Sequence, residues 1–115
     1  MGLLLGSLST RSDADLQSGT VDRVHLDELR DLMDETYGLK DSERGIPATI
    51  AWLTEELGEL AQAVRKCTRE QQLHELGDVL AWVASLAAQL DLSMDEAVQR
   101  YVGGCPKCDQ TSCVC

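Results

Sequence analysis

The chain has 115 residues, 43% of them hydrophobic, and this length and composition predict one domain with a small core. Its formal net charge of −10 argues against duplex nucleic acid as a partner, because an acidic surface repels phosphate backbones. No stretch of the sequence is apolar for long enough to cross a membrane, so a membrane partner is not expected.

Residues 1–22 show no hydrophobic period and are rich in Ser, Asp, Gly and Thr. The leucines near the start lack the basic flank of a secretory signal, so this segment is interpreted as a flexible N-terminal tail. A chain without a secretory signal is expected in the cytoplasm, where thiols stay reduced.

A first helix is predicted over residues 24–37, because apolar residues recur there at helical spacing. Gly38 is expected to end this helix, as glycine often does at a helix C-terminus. Residues 39–46 are predicted to form a polar loop. Pro47 favours the first turn of a second helix, which is expected to run to about Cys67.

Two capping patterns predict the remaining helices. Thr68, followed three residues later by Gln71, forms a capping box that is expected to begin a third helix. Ser93, followed three residues later by Glu96, predicts a short fourth helix that ends at about Val102, before two glycines.

Strand-like alternation is absent from the sequence, and the predicted fold is all-α, a small bundle of about four helices. The bundle is expected to span residues 23–102 and to be followed by a Cys-rich tail over residues 103–115.

Residues 79–90 are apolar on nearly every side, and such a helix must be covered on every side. A homodimer or homotetramer is therefore expected, the alternative being a monomer in which this helix is central.

Two short segments, ELGE at residues 56–59 and ELGD at residues 75–78, repeat one acidic pattern. Each segment places two carboxylates three residues apart, on one flank of its helix beside the apolar stripe. Packing of the two stripes is expected to bring the acidic pairs face to face, and the glycine in each segment is expected to permit close approach of the helices. The pairs are Glu56 with Glu59, and Glu75 with Asp78.

Carboxylates that converge in this way need a counter-charge. Two of them about 5 Å apart repel by about 3 kcal/mol at an effective dielectric constant of about 20. Protonation or a bound cation relieves the repulsion, and Mg²⁺ or Mn²⁺ prefers oxygen ligands. The pattern therefore predicts a divalent cation site, the alternative being a solvated acidic face.

These acids and their surroundings resemble the MazG-like family of all-α nucleoside triphosphate pyrophosphohydrolases. The resemblance rests on an EExxE pattern that ends at Glu59 and an ExxD pattern that ends at Asp78, and it extends over residues 25–102. It implies Mg²⁺-dependent cleavage of (deoxy)nucleoside triphosphates between the α and β phosphates, which gives a nucleoside monophosphate and pyrophosphate.

The resemblance also implies roles for single residues. Glu55, the additional acid, would orient or deprotonate the attacking water. The other four acids of the two patterns would hold Mg²⁺ (or Mn²⁺): Glu56, Glu59, Glu75 and Asp78.

Three further residues are candidates for contacting the substrate. Trp52 lies one turn before Glu56 and is a candidate for stacking on a nucleotide base, with core packing as the alternative. Lys66 and Arg100 are candidate phosphate-binding cations, and solvated surface charge is the alternative for both.

Two other functions remain open at this point. One is a non-catalytic helical interaction module that uses the Cys-rich tail for recognition. The other is a degenerate relative that binds nucleotides without turnover, because the family often has Lys and Asn downstream of ExxD, where this chain has Arg100 and no Asn.

The chain ends with four cysteines spaced C-x₂-C-x₄-C-x-C: Cys105, Cys108, Cys113 and Cys115. Four thiolates are sufficient for a closed tetrahedral zinc site, so structural Zn²⁺ is predicted there. Redox-active or disulfide-bonded thiols and a disordered tail are the alternatives. Cys67 stands apart from the tail and is interpreted as an ordinary small residue.

Overall fold

The computed structural model describes residues 23–115, and the regular structure in that range is entirely helical. This confirms the all-α fold class, whereas the predicted N-terminal tail lies outside the described residues. Four α-helices are followed by one 3₁₀ turn at Gln99–Tyr101: α1 (Leu26–Arg44), α2 (Ile46–Lys66), α3 (Arg69–Gln89) and α4 (Met94–Val98).

Helix α3 is the centre of the bundle, because it packs along both α1 and α2, which contact each other much less. The core between α1 and α3 contains Leu32 and Met33 against Ala81 and Ala84. Small alanine side chains on α3 allow the larger residues of α1 to approach its backbone closely. Met33 is completely buried in this contact.

The predicted caps, a capping box at Thr68 and a side-chain cap at Ser93, fix the starts of α3 and α4. The Thr68 hydroxyl accepts a hydrogen bond from the Gln71 amide at 3.3 Å, and the Gln71 side chain accepts one from the Thr68 amide at 3.2 Å. Ser93 accepts from the Glu96 amide at 3.0 Å. The Ser93 hydroxyl also donates to Asp27 at 2.6 Å, which attaches the start of α4 to the start of α1.

The predicted end of the first helix at Gly38 is wrong, and so is the loop predicted over residues 39–46. Helix α1 continues through Gly38 to Arg44 and is ended by Gly45, whose φ of +83° is a conformation that favours glycine. The extra turn carries Asp41, which is buried and paired with Arg44. The backbone carbonyl of Asp41 also accepts a hydrogen bond from the side chain of Gln89 on α3, at 2.8 Å. These tertiary contacts outweigh the cost of about 1 kcal/mol for a glycine inside a helix.

The expectation that the apolar stripes of α2 and α3 pack against each other is also wrong. The helices instead meet along the flank that carries the tryptophans and the acids, where Ala63 and Trp82 are buried. The stripes remain exposed at six large apolar residues: Ile50, Leu57, Val64, Leu73, Leu76 and Leu80. We call this set, together with the partly buried Leu60, the apolar face.

Residues 79–90 are mostly covered within a single chain, with Leu80 and Leu90 as the large apolar residues left exposed. The uncovered apolar surface therefore lies chiefly on α2 and the first half of α3. Among residues 23–115, none of the helices is long and apolar enough to span a bilayer.

Candidate metal and nucleotide site

The acidic cluster lies between α2 and α3, which form an antiparallel hairpin. Glu56 projects from α2, and Glu75 and Asp78 project from α3. One carboxylate oxygen of each of these three residues lies within 4.8 Å of the others. Both helices thus contribute to one acidic cluster, which contains three of the four acids predicted to hold a cation.

Burial makes this cluster unlike an ordinary acidic surface. The Oε2 atoms of Glu56 and Glu75 are inaccessible to solvent and have no hydrogen-bond partner among the described residues. A buried carboxylate oxygen without a partner destabilises a fold, because it loses its hydration and gains nothing in return. A cation or a proton held between these oxygens would remove that cost.

The electrostatics agree with the burial. Burial raises the pKa of Glu56 above its usual range, and the carboxyl groups of Glu59, Asp78 and Glu75 raise it further. Burial likewise raises the pKa of Glu75, with Glu59 and Asp78 adding to the effect and His74 opposing it. Both shifts mean that full negative charge in this cluster is unfavourable without a counter-ion.

Glu59 and Glu55 occupy different positions from the three convergent acids. Glu59 is exposed and lies outside the group whose oxygens are within 4.8 Å, but its charge acts on both Glu56 and Glu75. It therefore lies at the mouth of the cluster. Glu55 is exposed on α2.

A tryptophan pair borders the cluster one helical turn from the acids. The rings of Trp52 and Trp82 are stacked, with centroids 6.0 Å apart and an angle of 8° between their planes. Trp82 is buried with 7% of its surface exposed, whereas Trp52 is 46% exposed. Trp52 thus combines a fixed orientation with a ring that another molecule can contact.

Arg44 is a residue whose placement sequence reasoning missed. Its guanidinium carbon lies 4.8 Å from the centroid of the Trp82 ring, and the group is also paired with buried Asp41. The sequence analysis placed Arg44 in a predicted loop whose other cation is Lys40, and no pattern distinguished the two. Its position depends on the extra turn of α1, which itself was not predicted.

The two cations that the sequence predicted to contact substrate lie in exposed positions. Lys66 is in the last turn of α2. Arg100 is in the 3₁₀ turn, where its guanidinium carbon is 5.3 Å from the ring centroid of Tyr101. His74 lies 3.4 Å from a carboxylate oxygen of Asp78, at the rim of the acidic cluster.

The expectation that Gly58 and Gly77 permit close helix approach is wrong within a single chain. Both are exposed, and a Cβ atom added at either position would meet nothing within 4 Å. The helices approach through other residues, because the acidic flank and not the apolar stripe forms their contact.

The cysteines of the tail form a second cluster. Four sulfur atoms lie within 4.8 Å of one another, those of Cys105, Cys108, Cys113 and Cys115. All five cysteines of the chain carry free thiols, and Cys67 lies apart at the end of α2.

Backbone amides hold the sulfur atoms of this second cluster. The amides of Val114 and Gln110 lower the pKa of the Cys108 thiol to about 6. Those of Cys108 and Lys107 lower the pKa of Cys105. Donation of an N–H group to sulfur stabilises the thiolate, which is the form that binds metal ions.

Two comparisons with known proteins bear on these clusters. The sequence model of the MazG nucleotide pyrophosphohydrolase domain matches residues 44–107, which is more than half of the chain and includes the whole acidic cluster. "Uncharacterized protein YpjD" of Bacillus subtilis (strain 168) is 43% identical over 65 residues, a match that covers 48% of this chain and 59% of YpjD. The chain thus spans less than two thirds of the length of that relative.

Proposed function

The chain belongs to the MazG nucleotide pyrophosphohydrolase domain family, and from this we propose that it is a Mg²⁺-dependent nucleotide pyrophosphohydrolase. It would cleave (deoxy)nucleoside triphosphates between the α and β phosphates, giving a nucleoside monophosphate and pyrophosphate. The observation that carries the proposal is the convergence of three carboxylates, from Glu56, Glu75 and Asp78, two of which keep a buried oxygen without a partner.

The donor set fits a hard divalent cation. Mg²⁺ and Mn²⁺ prefer carboxylate oxygens, and Mg²⁺ usually keeps part of its coordination for water and substrate phosphates. Glu56, Glu75 and Asp78 would hold the ion, and Glu59 would complete the site from its mouth. The chemistry that such an ion supplies when bound is neutralisation of phosphate charge and a lower pKa for an attacking water.

The protein's own groups have distinct tasks in this proposal. The four acids fix where the cation would lie and therefore where the phosphates can bind. Without a cation, the carboxylates would repel a triphosphate. Glu55, one residue before the cluster, orients the attacking water or accepts its proton. That role requires Glu55 to point toward the substrate when the substrate is bound, since its side chain is exposed in the described structure.

The tryptophan pair is the proposed platform for the nucleotide base. Stacking of a base on an exposed aromatic ring is sequence-tolerant, because every base has a π-face. Trp52 offers such a ring, and Trp82 fixes its orientation from the buried side. Arg44, Lys66 and Arg100 are the proposed cations for phosphate groups, and Arg44 has the best support because it lies over the ring of Trp82.

A second copy of the chain is the proposed cover for the apolar face. Leu60, Val64, Leu73 and Leu76 line a groove of about 280 Å³ at the closed end of the hairpin, to which both helices contribute. A contiguous apolar surface of this kind is typical of an interface. The location proposed for the enzyme is the cytoplasm, where cysteine thiols stay reduced and can bind metal ions.

The proposal is tested by incubating the full chain with a panel of ribo- and deoxynucleoside triphosphates and with Mg²⁺ or Mn²⁺. Equal amounts of monophosphate and pyrophosphate are expected from at least one substrate, and Glu56→Gln is expected to lower the rate of release by about 10³-fold. Glu35→Gln is the matched control, because Glu35 is an exposed acid on α1.

Three other outcomes would contradict the proposal in different ways. Release of inorganic phosphate in place of pyrophosphate would mean that a different bond is cleaved. Nucleotide binding without any product would favour the degenerate relative. Neither binding nor cleavage, with metal binding unchanged by Glu56→Gln, would favour the interaction module.

A further inference from the structure

We infer that the last eleven residues of the chain form a closed Zn²⁺ site with Cys105, Cys108, Cys113 and Cys115 as its four ligands. This site is separate from the acidic cluster and takes a different class of ion. Three of the four cysteines also lie beyond residues 44–107, the part of the chain that the family shares.

The spacing of the sulfur atoms matches a tetrahedral zinc site. Zinc–sulfur bonds of about 2.3 Å require neighbouring sulfurs to be about 3.8 Å apart. The Cys105 sulfur lies 3.6 Å from that of Cys113 and 3.9 Å from that of Cys115. All four sulfurs fall within 4.8 Å of one another, so little movement is needed to place one ion among them.

The backbone of the tail is folded to bring the two halves of the site together. The Cys105 amide donates to the Gln110 carbonyl at 3.0 Å, and the Asp109 amide donates to the Cys105 carbonyl at 2.8 Å. Gly104 has a φ of +108°, and a Cβ atom there would lie 2.7 Å from the Gln110 carbonyl oxygen. Glycine is therefore required for the turn that closes the CPKC loop onto the CVC end.

Backbone amides also surround the sulfur atoms, which is a second and independent observation. The Cys105 sulfur faces the amides of Cys108 and Lys107, and the Cys108 sulfur faces those of Gln110 and Val114. The Cys115 amide donates to the Cys113 sulfur at 3.4 Å. Amides that point at sulfur offset the negative charge of a four-thiolate site and fix its ligands in place.

The ion most consistent with this donor set is Zn²⁺. A tetrahedral site of four thiolates selects zinc or iron among the common metals, and a closed set of ligands leaves no position for substrate. The role that follows is structural. The tail has almost no apolar core of its own, since Val114 is 77% exposed. Side-chain packing therefore cannot hold these turns, whereas one ion bound to four ligands can.

The test uses the full chain, purified without chelator and under reducing conditions. Elemental analysis is expected to give about one zinc per chain, and Cys108→Ser is expected to reduce this at least tenfold. Cys67→Ser is the matched control and should keep its zinc, because Cys67 is a free thiol remote from the tail cluster. Replacement of zinc by Co²⁺ should give the intense visible bands of a tetrahedral tetrathiolate.

A second measurement reports on the structure of the tail and compares the protein before and after its metal is removed. Trypsin cleavage after Lys107, within the loop between two ligands, should become at least tenfold faster when a chelator removes the ion. Restoring Zn²⁺ should restore the protection, but not in Cys108→Ser. Less than a tenth of an equivalent of zinc with four titratable thiols in the tail would overturn the site. Stoichiometric iron would overturn the choice of ion, and disulfide bonds in the reduced sample would overturn both.

Discussion

The acidic cluster and the cysteine cluster each gather several metal-type ligands, but they are built in opposite ways. The acids come from two long helices and meet because α2 packs on α3. The cysteines come from eleven consecutive residues and meet because of turns within that segment. The acids keep two buried oxygens without partners, whereas the sulfurs receive backbone amides. An open, strained cluster suits chemistry, and a closed, satisfied one suits structure.

The strongest test of this difference between the two clusters is to neutralise one buried acid. Glu56→Gln is expected to lower the rate of pyrophosphate release by about 10³-fold, because about 4 kcal/mol of transition-state stabilisation depends on the cation. The metal-free protein should become more stable by about 0.5 kcal/mol, since a like-charge repulsion is removed. Steady-state kinetics and thermal melting without metal are the two measurements.

The zinc content of Glu56→Gln should equal that of the unaltered chain, because the cysteine cluster does not depend on the acids. A variant that is less stable without metal but close to normal in activity would show that the acids are structural. Glu35→Gln again serves as the control, with both activity and stability unchanged.

The apolar face gives the next largest expected effect. Leu73, 60% exposed in a single chain, lines the groove to which α2 and α3 both contribute. Leu73→Lys should weaken self-association about 100-fold, because a buried interface leucine contributes about 2–3 kcal/mol and a lysine there would lose hydration. Sedimentation equilibrium measures the change, with Leu39→Lys as the matched control on α1.

The same experiment shows whether the cysteine cluster depends on self-association. Dissociated chains should keep their zinc, because the cysteine site is local to one segment. If the unaltered chain sediments as a monomer at micromolar concentration, or if Leu39→Lys dissociates it as fully as Leu73→Lys, a second copy does not cover the apolar face.

The tryptophan pair should have a moderate effect that is confined to the substrate. Trp52→Ala is expected to raise KM about tenfold, since loss of one base–aromatic stack costs about 1–3 kcal/mol. Trp52→Phe should restore most of the affinity, because a smaller ring still stacks. The zinc content should not change in either variant. Equal KM values for the unaltered chain, Trp52→Ala and Trp52→Phe would mean that Trp52 serves only to pack against Trp82.

The smallest expected effect is the pH dependence of stability in the absence of divalent metal. Burial and neighbouring acids raise the folded-state pKa of Glu56 and Glu75, so the folded protein binds protons that the unfolded chain has already lost. Stability should therefore be greatest below these raised pKa values and should fall as the pH rises through them.

Thermal melting across this pH range measures the trend, and Mg²⁺ should flatten it by replacing the proton. Glu56→Gln should also flatten it, because one of the two titrating groups is gone. A stability that rises with pH over the same range would contradict the electrostatic description of the cluster.

The starts of α3 and α4 and the acidic cluster were predictable because each depends on local chemistry. Thr68 and Ser93 act through residues three positions away, and the two acidic segments are brought together by a connection of only Cys67 and Thr68. The cysteine cluster was predictable for the same reason, as its ligands are close in sequence.

The features that sequence reasoning missed depend on contacts that are distant along the chain. Gly38 looks like a helix end, yet the turn beyond it is held by Gln89, 48 residues away from Asp41. The choice of which face of α2 packs on α3 could not be made from periodicity, because the acidic flank and the apolar stripe are adjacent. Arg44 acquired its place beside Trp82 only through that extra turn.

The two-residue connection between α2 and α3 has a consequence for folding kinetics. Contacts across such a hairpin have a small separation in sequence, and loops that close over a short chain segment form early. The four acids should therefore already be close together in the transition state for folding. We expect Mg²⁺ to increase the refolding rate and not merely to slow unfolding, because the repulsion that it relieves has to be overcome on the way to the native state.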